Sequence, residues 1–134
     1  MKQILLLTTL ILFSCFTFSQ KWENYKWKKS ESGLEYKIVK KGKGKKLQQG
    51  DSVNIRWIWF DCTTGEELEN HLNSTQIFKW TSGSGTFVIG FEEGLNKLKR
   101  KGKAYIRIPP ELAWGQDGLN GRKTFCYFIE ILSD

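Results

Sequence analysis

A single histidine, His71, stands in a polar stretch with no second histidine or cysteine beside it. That leaves no ligand set for a metal centre, and one loop histidine does not support a Ser-His-Asp arrangement. The glycines are scattered and form no phosphate-cradling loop. Two prolines, adjacent at 109 and 110, leave no proline-rich tract, and no internal repeat is present. Acidic side chains are outnumbered 14 to 21 by Lys and Arg, a formal charge of +7. The longest run of apolar or small residues, 4–18, is too short to cross a bilayer comfortably.

That run has a different reading. Lys2 gives a positive start, the run itself is apolar or small, and Thr17 and Ser19 suit a signal peptidase. We therefore expect a signal peptide at 1–19, a basic aromatic leader at 20–31 and one domain at 32–134. Leu12-Phe13-Ser14-Cys15 supports an alternative, a lipoprotein anchored through Cys15, although Phe13 fits that box poorly. In both cases the domain works outside the cytoplasm, with the soluble periplasmic form preferred. Cys62 and Cys126 remain, and two cysteines make no disulfide framework. One is expected in a loop and the other in a strand, so the sequence leaves their pairing open.

What is present patterns as strands. Residues 34–40 alternate apolar and polar, as a half-buried strand does. In 52–60, Val53, Ile55, Trp57 and Trp59 share one face. Residues 61–75 read as a polar loop. Residues 77–80, 103–108 and 124–132 read as further strands, the second closed by Pro109-Pro110. One helix is expected over 91–99. Glu92 and Glu93 sit in its first turn, lysines follow near its end, and Gly102 is a natural stop. The expected class is α+β, a twisted antiparallel β-sheet wrapped around one short α-helix.

Two runs carry more than pattern. They are Phe87-Val88-Ile89-Gly90-Phe91-Glu92-Glu93-Gly94 and Ile108-Pro109-Pro110-Glu111-Leu112-Ala113-Trp114-Gly115. With Ser32-Gly33-Leu34-Glu35-Tyr36 and Gly50-Asp51, they resemble the FKBP-type peptidyl-prolyl isomerases over most of 32–132. The resemblance implies an apolar pocket that takes a proline ring. It assigns the pocket itself to Phe78, Phe87, Val88, Phe91, Trp114 and Tyr127. It assigns substrate contacts to Ile55, Leu68, Glu69 and Trp80. Ile55 stands where the family has a tyrosine, Leu68-Glu69 stand for Phe-Asp, Phe91 for the floor Trp and Trp114 for the flap Tyr. The tip at 119–122 is shorter than usual.

The implied chemistry needs no cofactor, metal, base or nucleophile. Withdrawing an X-Pro amide from water favours its twisted, less polar form. The implied partners are proline-containing unfolded or partly folded polypeptides, met by a monomer. A non-catalytic FKBP-like peptide-binding module or chaperone is the alternative. The lysine runs at 40–46 and 97–103 read first as a solvated face and next as contact with a membrane surface. Nucleic acid ranks last, because no recognition helix or base-stacking motif is evident.

Overall fold

The structure is a computed structural model that describes residues 26–114 and 123–133. Among the described residues, seven strands and one α-helix follow in chain order. They are β1 (Lys28–Lys29), β2 (Glu35–Lys40), β3 (Ser52–Phe60), β4 (Glu67–Asn70), β5 (Phe78–Thr81), α1 (Ile89–Asn96), β6 (Lys103–Ile108) and β7 (Phe125–Ile131). All pairings are antiparallel, in the order β1-β2-β6-β7-β3-β4. β5 pairs with the first half of β3, Ser52 to Ile55, while β4 pairs with its second half. The expected α+β architecture is the observed one.

Alternation decides which face is covered. Val53 and Ile55 of β3, Ala104, Ile106 and Ile108 of β6, and Phe125, Ile129 and Ile131 of β7 point to one side and are buried. Leu95 and Leu98, from α1 and the turn after it, are fully buried against the same core. Each contributes about 1.5–3 kcal/mol by leaving water. The opposite face carries Lys37, Tyr105, Phe128 and Phe60, with ring centroids 4.9 Å apart for Tyr105 and Phe128. Lys37 is buried there and its ammonium lies 5.6 Å from the Tyr105 ring. Burial lowers its pKa.

The helix differs from expectation at both ends. It starts at Ile89 and stops at Asn96, not Lys99. The early stop has a backbone cause. The Lys99 N–H donates to the Lys41 carbonyl at 2.9 Å, and Arg100 bridges Lys43. Residues that would continue the helix are claimed by the segment after β2. The left-handed residue is Lys101 (φ 68°), not Gly102. Gly102 is needed for space, because a Cβ there would lie 2.7 Å from the Lys41 oxygen. Within α1, Gly90 serves close packing in the same way. A Cβ would come within 2.5 Å of Ile108 Cγ2, so the helix start can rest directly on β6.

Two further differences bear on the site. The stretch read as loop at 61–75 contains β4, whose four residues are all exposed along the sheet edge. Short polar edge strands are hard to see in sequence because they bury no face. Cys62 and Cys126, left open by the sequence, form a disulfide with a Cα–Cα distance of 5.3 Å. The strand register places Cys126 opposite Phe60, two positions before Cys62. Nearby, the Asp61 carboxylate accepts the backbone N–H groups of Thr64 and Thr63, each at 2.8 Å, and these lower its pKa.

Candidate isomerase site

One end of the core face is aromatic, and it is assembled from four separate segments. β3 supplies Trp57, β5 supplies Phe78, the α1 entry supplies Phe87 and Phe91, and β7 supplies Tyr127. The Trp57 ring lies 5.4 Å from Phe78, 5.6 Å from Phe87 and 6.0 Å from Phe91, all edge-on. Phe78 meets Phe87 at 5.4 Å, Phe87 meets Phe91 at 4.6 Å, and Phe91 meets Tyr127 at 5.1 Å. Edge-to-face pairs at such distances add about 0.5–1.5 kcal/mol beyond area burial. Phe91 is buried at the base, and Phe78 keeps 42% of its surface exposed. A water-facing Phe beside a closed aromatic base offers apolar surface to a ligand.

Trp114 joins this network indirectly. It follows a short 3-10 turn, Pro110–Leu112, and packs edge-on against Phe125 at 4.7 Å. Phe125 meets Trp59 at 5.9 Å, and Trp59 stacks on Tyr127 at 6.3 Å. Trp114 remains half exposed at the end of this row. The expected tip at 119–122 lies outside the described residues.

Val88 sets the helix entrance. It is the N-cap, with extended backbone, and its carbonyl accepts from Phe91 at 3.0 Å and Glu92 at 3.2 Å. Glu92 reaches back to the Phe87 N–H at 3.2 Å, which fixes the approach to the helix. None of the hydrogen bonds described uses the Val88 N–H.

A polar pair borders the rings. His71 Nε2 lies 2.5 Å from Glu69 Oε1, and the His71 ring lies tilted against Trp57 with centroids 4.3 Å apart. The His71 N–H donates to the Trp57 carbonyl at 2.8 Å, and Arg56 Nη1 donates to the Leu72 carbonyl at 3.2 Å. These bonds hold the turn after β4 against β3. Glu69 and Tyr127 are coupled as well. Burial first, then the Glu69 charge, pushes the Tyr127 phenol up to about 12. Tyr127 therefore remains a neutral O–H donor at physiological pH.

That shift has a measurable consequence. The folded-state pKa lies above the ordinary value of 10.0. The associated stability is full below pH ~10 and is lost as pH rises towards ~12. Tyrosinate absorbance should show an ionisation step near pH 12 that belongs to Tyr127. Tyr127→Phe should remove that late step and flatten the loss of Tm in this window. A late step that persists unchanged in Tyr127→Phe would contradict the assignment.

The structure does not bring every expected residue together. Phe78, Phe87, Phe91 and Tyr127 converge, Val88 caps the helix between them, and Glu69 lies beside Tyr127. Ile55 does not face the site: it is 1% exposed, paired across β3 with Phe78 and Ile131, and fills the core. Trp57, two residues on along the same face, takes the position assigned to Ile55. Trp80 is also 1% exposed, and its indole N–H is buried without a partner among the described residues. It packs in the core beside Val53, its partner on β3. Leu68 lies half exposed on the β4 edge and joins none of the ring contacts. Trp57, Trp59, Phe125 and His71 were not among the expected site residues. The period-2 pattern held the signal for Trp57 and Trp59, since both share a face with Ile55. Nothing local marked His71, which the tight turn after β4 brings over Trp57.

Comparison with known proteins agrees with this geometry. The family model for FKBP-type peptidyl-prolyl cis-trans isomerases matches residues 43–132. The chain is 32% identical over 108 residues to the FKBP-type peptidyl-prolyl cis-trans isomerase FkpA of Escherichia coli, covering 78% of this chain and 39% of that protein. It thus spans about two fifths of that relative's length. A probable FK506-binding protein of Corynebacterium glutamicum is 29% identical over 96 residues, covering 69% of this chain and 79% of that protein. The crystal structure of FkpA from Escherichia coli superposes with a TM-score of 0.70 at 29% identity, over 87% of this chain and 55% of that one. The N-terminal domain of FKBP42 from Arabidopsis thaliana gives 0.71 at 16% identity, over 82% and 92%, a likeness of fold. The matched residues include both signature runs, the helix, and the strands that carry Trp57, Phe78 and Tyr127. This chain belongs to the FKBP-type peptidyl-prolyl cis-trans isomerase family.

Proposed function

We propose that the chain catalyses cis-trans isomerisation of X-Pro bonds in unfolded or partly folded polypeptides. The observation that carries this reading is the convergence of Trp57, Phe78, Phe87, Phe91 and Tyr127 from four segments on one apolar surface. Rotation about an X-Pro bond breaks amide resonance over a barrier of ~18–20 kcal/mol. Resonance separates charge, and water stabilises the separated form. A ring surface that takes the proline and excludes water removes that stabilisation from the planar amide more than from the twisted one.

Each residue then has a role. Phe91 and Trp57 form the base under the proline ring, with Phe78 and Tyr127 as walls. The Val88 N–H holds a carbonyl of the substrate backbone. Trp114 covers the outer side, and its indole N–H is a donor. Glu69, oriented by His71, biases the field at the rim and moves no proton.

The site is proposed to act outside the cytoplasm. Residues 4–18 read as the apolar core of a signal, which favours release into the periplasm. Anchoring through Cys15 is the alternative, and in that form the leader lysines and Trp27 would lie at the membrane surface. Mass spectrometry of the mature N-terminus separates the two.

The functional proposal is tested by NMR titration with a short X-Pro peptide. Resonances of Trp57, Phe78, Val88 and Tyr127 should shift together, with faster exchange between the peptide's cis and trans signals. Shifts confined to another face would reject the site. Shifts at this site without faster exchange would identify a binding module.

A further inference from the structure

A second cleft, of about 1000 Å³, opens beside α1 and is distinct from the aromatic site. Phe91 points to the rings, whereas Glu93 and Asn96 of the same helix, with Lys97 at its C-cap, line the cleft. Glu93 and Lys97 are four apart and share a face, turned away from Phe91 by the helical period. The cleft floor is apolar, formed by Ile38, Leu47 and Leu98. Its rim is basic, formed by Lys28, Lys41, Lys46, Lys97 and Lys99.

The fold collects these lysines from three places in the chain. Lys28 comes from β1, and Lys46 precedes the buried Leu47. Lys41 and Lys99 are tied by the hydrogen bond between their backbones. The two basic runs that looked like separate solvated stretches thus face one space. Glu93 is the carboxylate lining the cleft, and it is already engaged. It accepts from Ser30 Oγ and Ser32 Oγ, each at 2.7 Å, and pairs with Lys97 at 3.7 Å. Lys28, Lys41, Lys46 and Lys99 form no ion pair among the described residues. Four ammonium groups around one cleft repel each other and concentrate anions there.

We propose that this cleft binds an acidic, extended polypeptide segment, a second contact to the clients whose X-Pro bonds reach the aromatic site. The proposal rests on the isomerase reading for its choice of client. Three features favour a peptide. The apolar floor takes aliphatic side chains between the acidic ones. Asn96, whose Oδ1 accepts from Ser82 at 2.8 Å, and Gln49 bring amides that can pair with a peptide backbone. The rim donors are ammonium groups on flexible stems, which meet carboxylates at variable register, whereas a fixed phosphate site is better served by the guanidinium fork. A concave cleft also suits an extended segment better than a flat bilayer. A client holding both sites gains from effective concentration, so a proline near an acidic tract is captured more tightly than the same proline alone.

The test uses the purified chain and a fluorescent proline-free peptide of alternating Glu and Leu, followed by anisotropy. Binding should weaken steeply with salt and exceed that of a Lys-Leu peptide by at least tenfold. The triple variant Lys41→Glu, Lys46→Glu, Lys99→Glu should lose at least tenfold affinity. If that variant melts early, the exposed single changes Lys41→Ala and Lys46→Ala should each weaken binding without altering Tm. Equal affinity for the acidic and basic peptides, or wild-type affinity in the single changes, overturns the proposal. Binding to anionic phospholipid vesicles but not to the acidic peptide also overturns it and assigns the cleft to a membrane surface. Isomerisation of a short uncharged X-Pro peptide reports the aromatic site alone, so either reading can fail without the other.

Discussion

Phe78→Ala is expected to lower kcat/KM for X-Pro isomerisation about tenfold, with only a small change in Tm. Phe78 is 42% exposed, so its removal opens no sealed cavity. It does remove a wall that meets both Trp57 and Phe87 at 5.4 Å. Losing aromatic contacts of ~1–1.5 kcal/mol in the transition state corresponds to roughly a factor of ten in rate. Ile55→Ala is the opposite case. Ile55 is 1% exposed, and its truncation should cost about 2–5 kcal/mol of stability. Activity of the Ile55 variant, measured well below its Tm, should stay near that of the parent. A Phe78 variant with full activity, or an Ile55 variant that is stable but inactive, would reverse the assignments made at β3 and β5.

The second large effect concerns the disulfide. Cys62 and Cys126 are separated by 64 positions, and their bond joins the turn after β3 to β7. Closing a loop of that length removes about 4 kcal/mol of chain entropy from the unfolded state, the upper part of the usual range. The double variant Cys62→Ala, Cys126→Ala should therefore lose about 2–4 kcal/mol. For a domain of this size that lowers Tm by roughly 10–20 °C. Differential scanning calorimetry with and without reductant measures it. A wild-type chain whose Tm ignores reductant, or two thiols that label freely in the folded protein, would contradict the bond.

The sequence made the sheet legible because most strands bury one face, and period-2 alternation records that burial. The alternation in 103–108 matches the buried positions Ala104, Ile106 and Ile108. β4 was invisible for the same reason: it buries neither face. The helix was legible in kind but not in extent. Its C-terminal limit comes from the backbone of residues 41–43, far away in the chain, and no local propensity records that competition.

The site divides along similar lines. Phe78, Phe87, Phe91 and Tyr127 were found through the order of residues in two signature runs and the strands around them. Ile55 was named in place of Trp57 because the two share a face. Choosing between them requires knowing where along β3 the core ends and the pocket begins. That boundary is set by β5, which covers β3 only as far as Ile55. His71 depended on a turn geometry that composition does not encode.

The central claim is that this aromatic surface accelerates X-Pro rotation. Exchange between the cis and trans forms of a short X-Pro peptide, followed with and without the folded chain, tests it most directly. The uncatalysed process takes ~10–100 s at 25 °C. The account predicts faster exchange in proportion to added chain, reduced about tenfold by Phe78→Ala. Exchange that stays at the uncatalysed rate for several residues before proline, with the chain folded and the peptide bound, would contradict it.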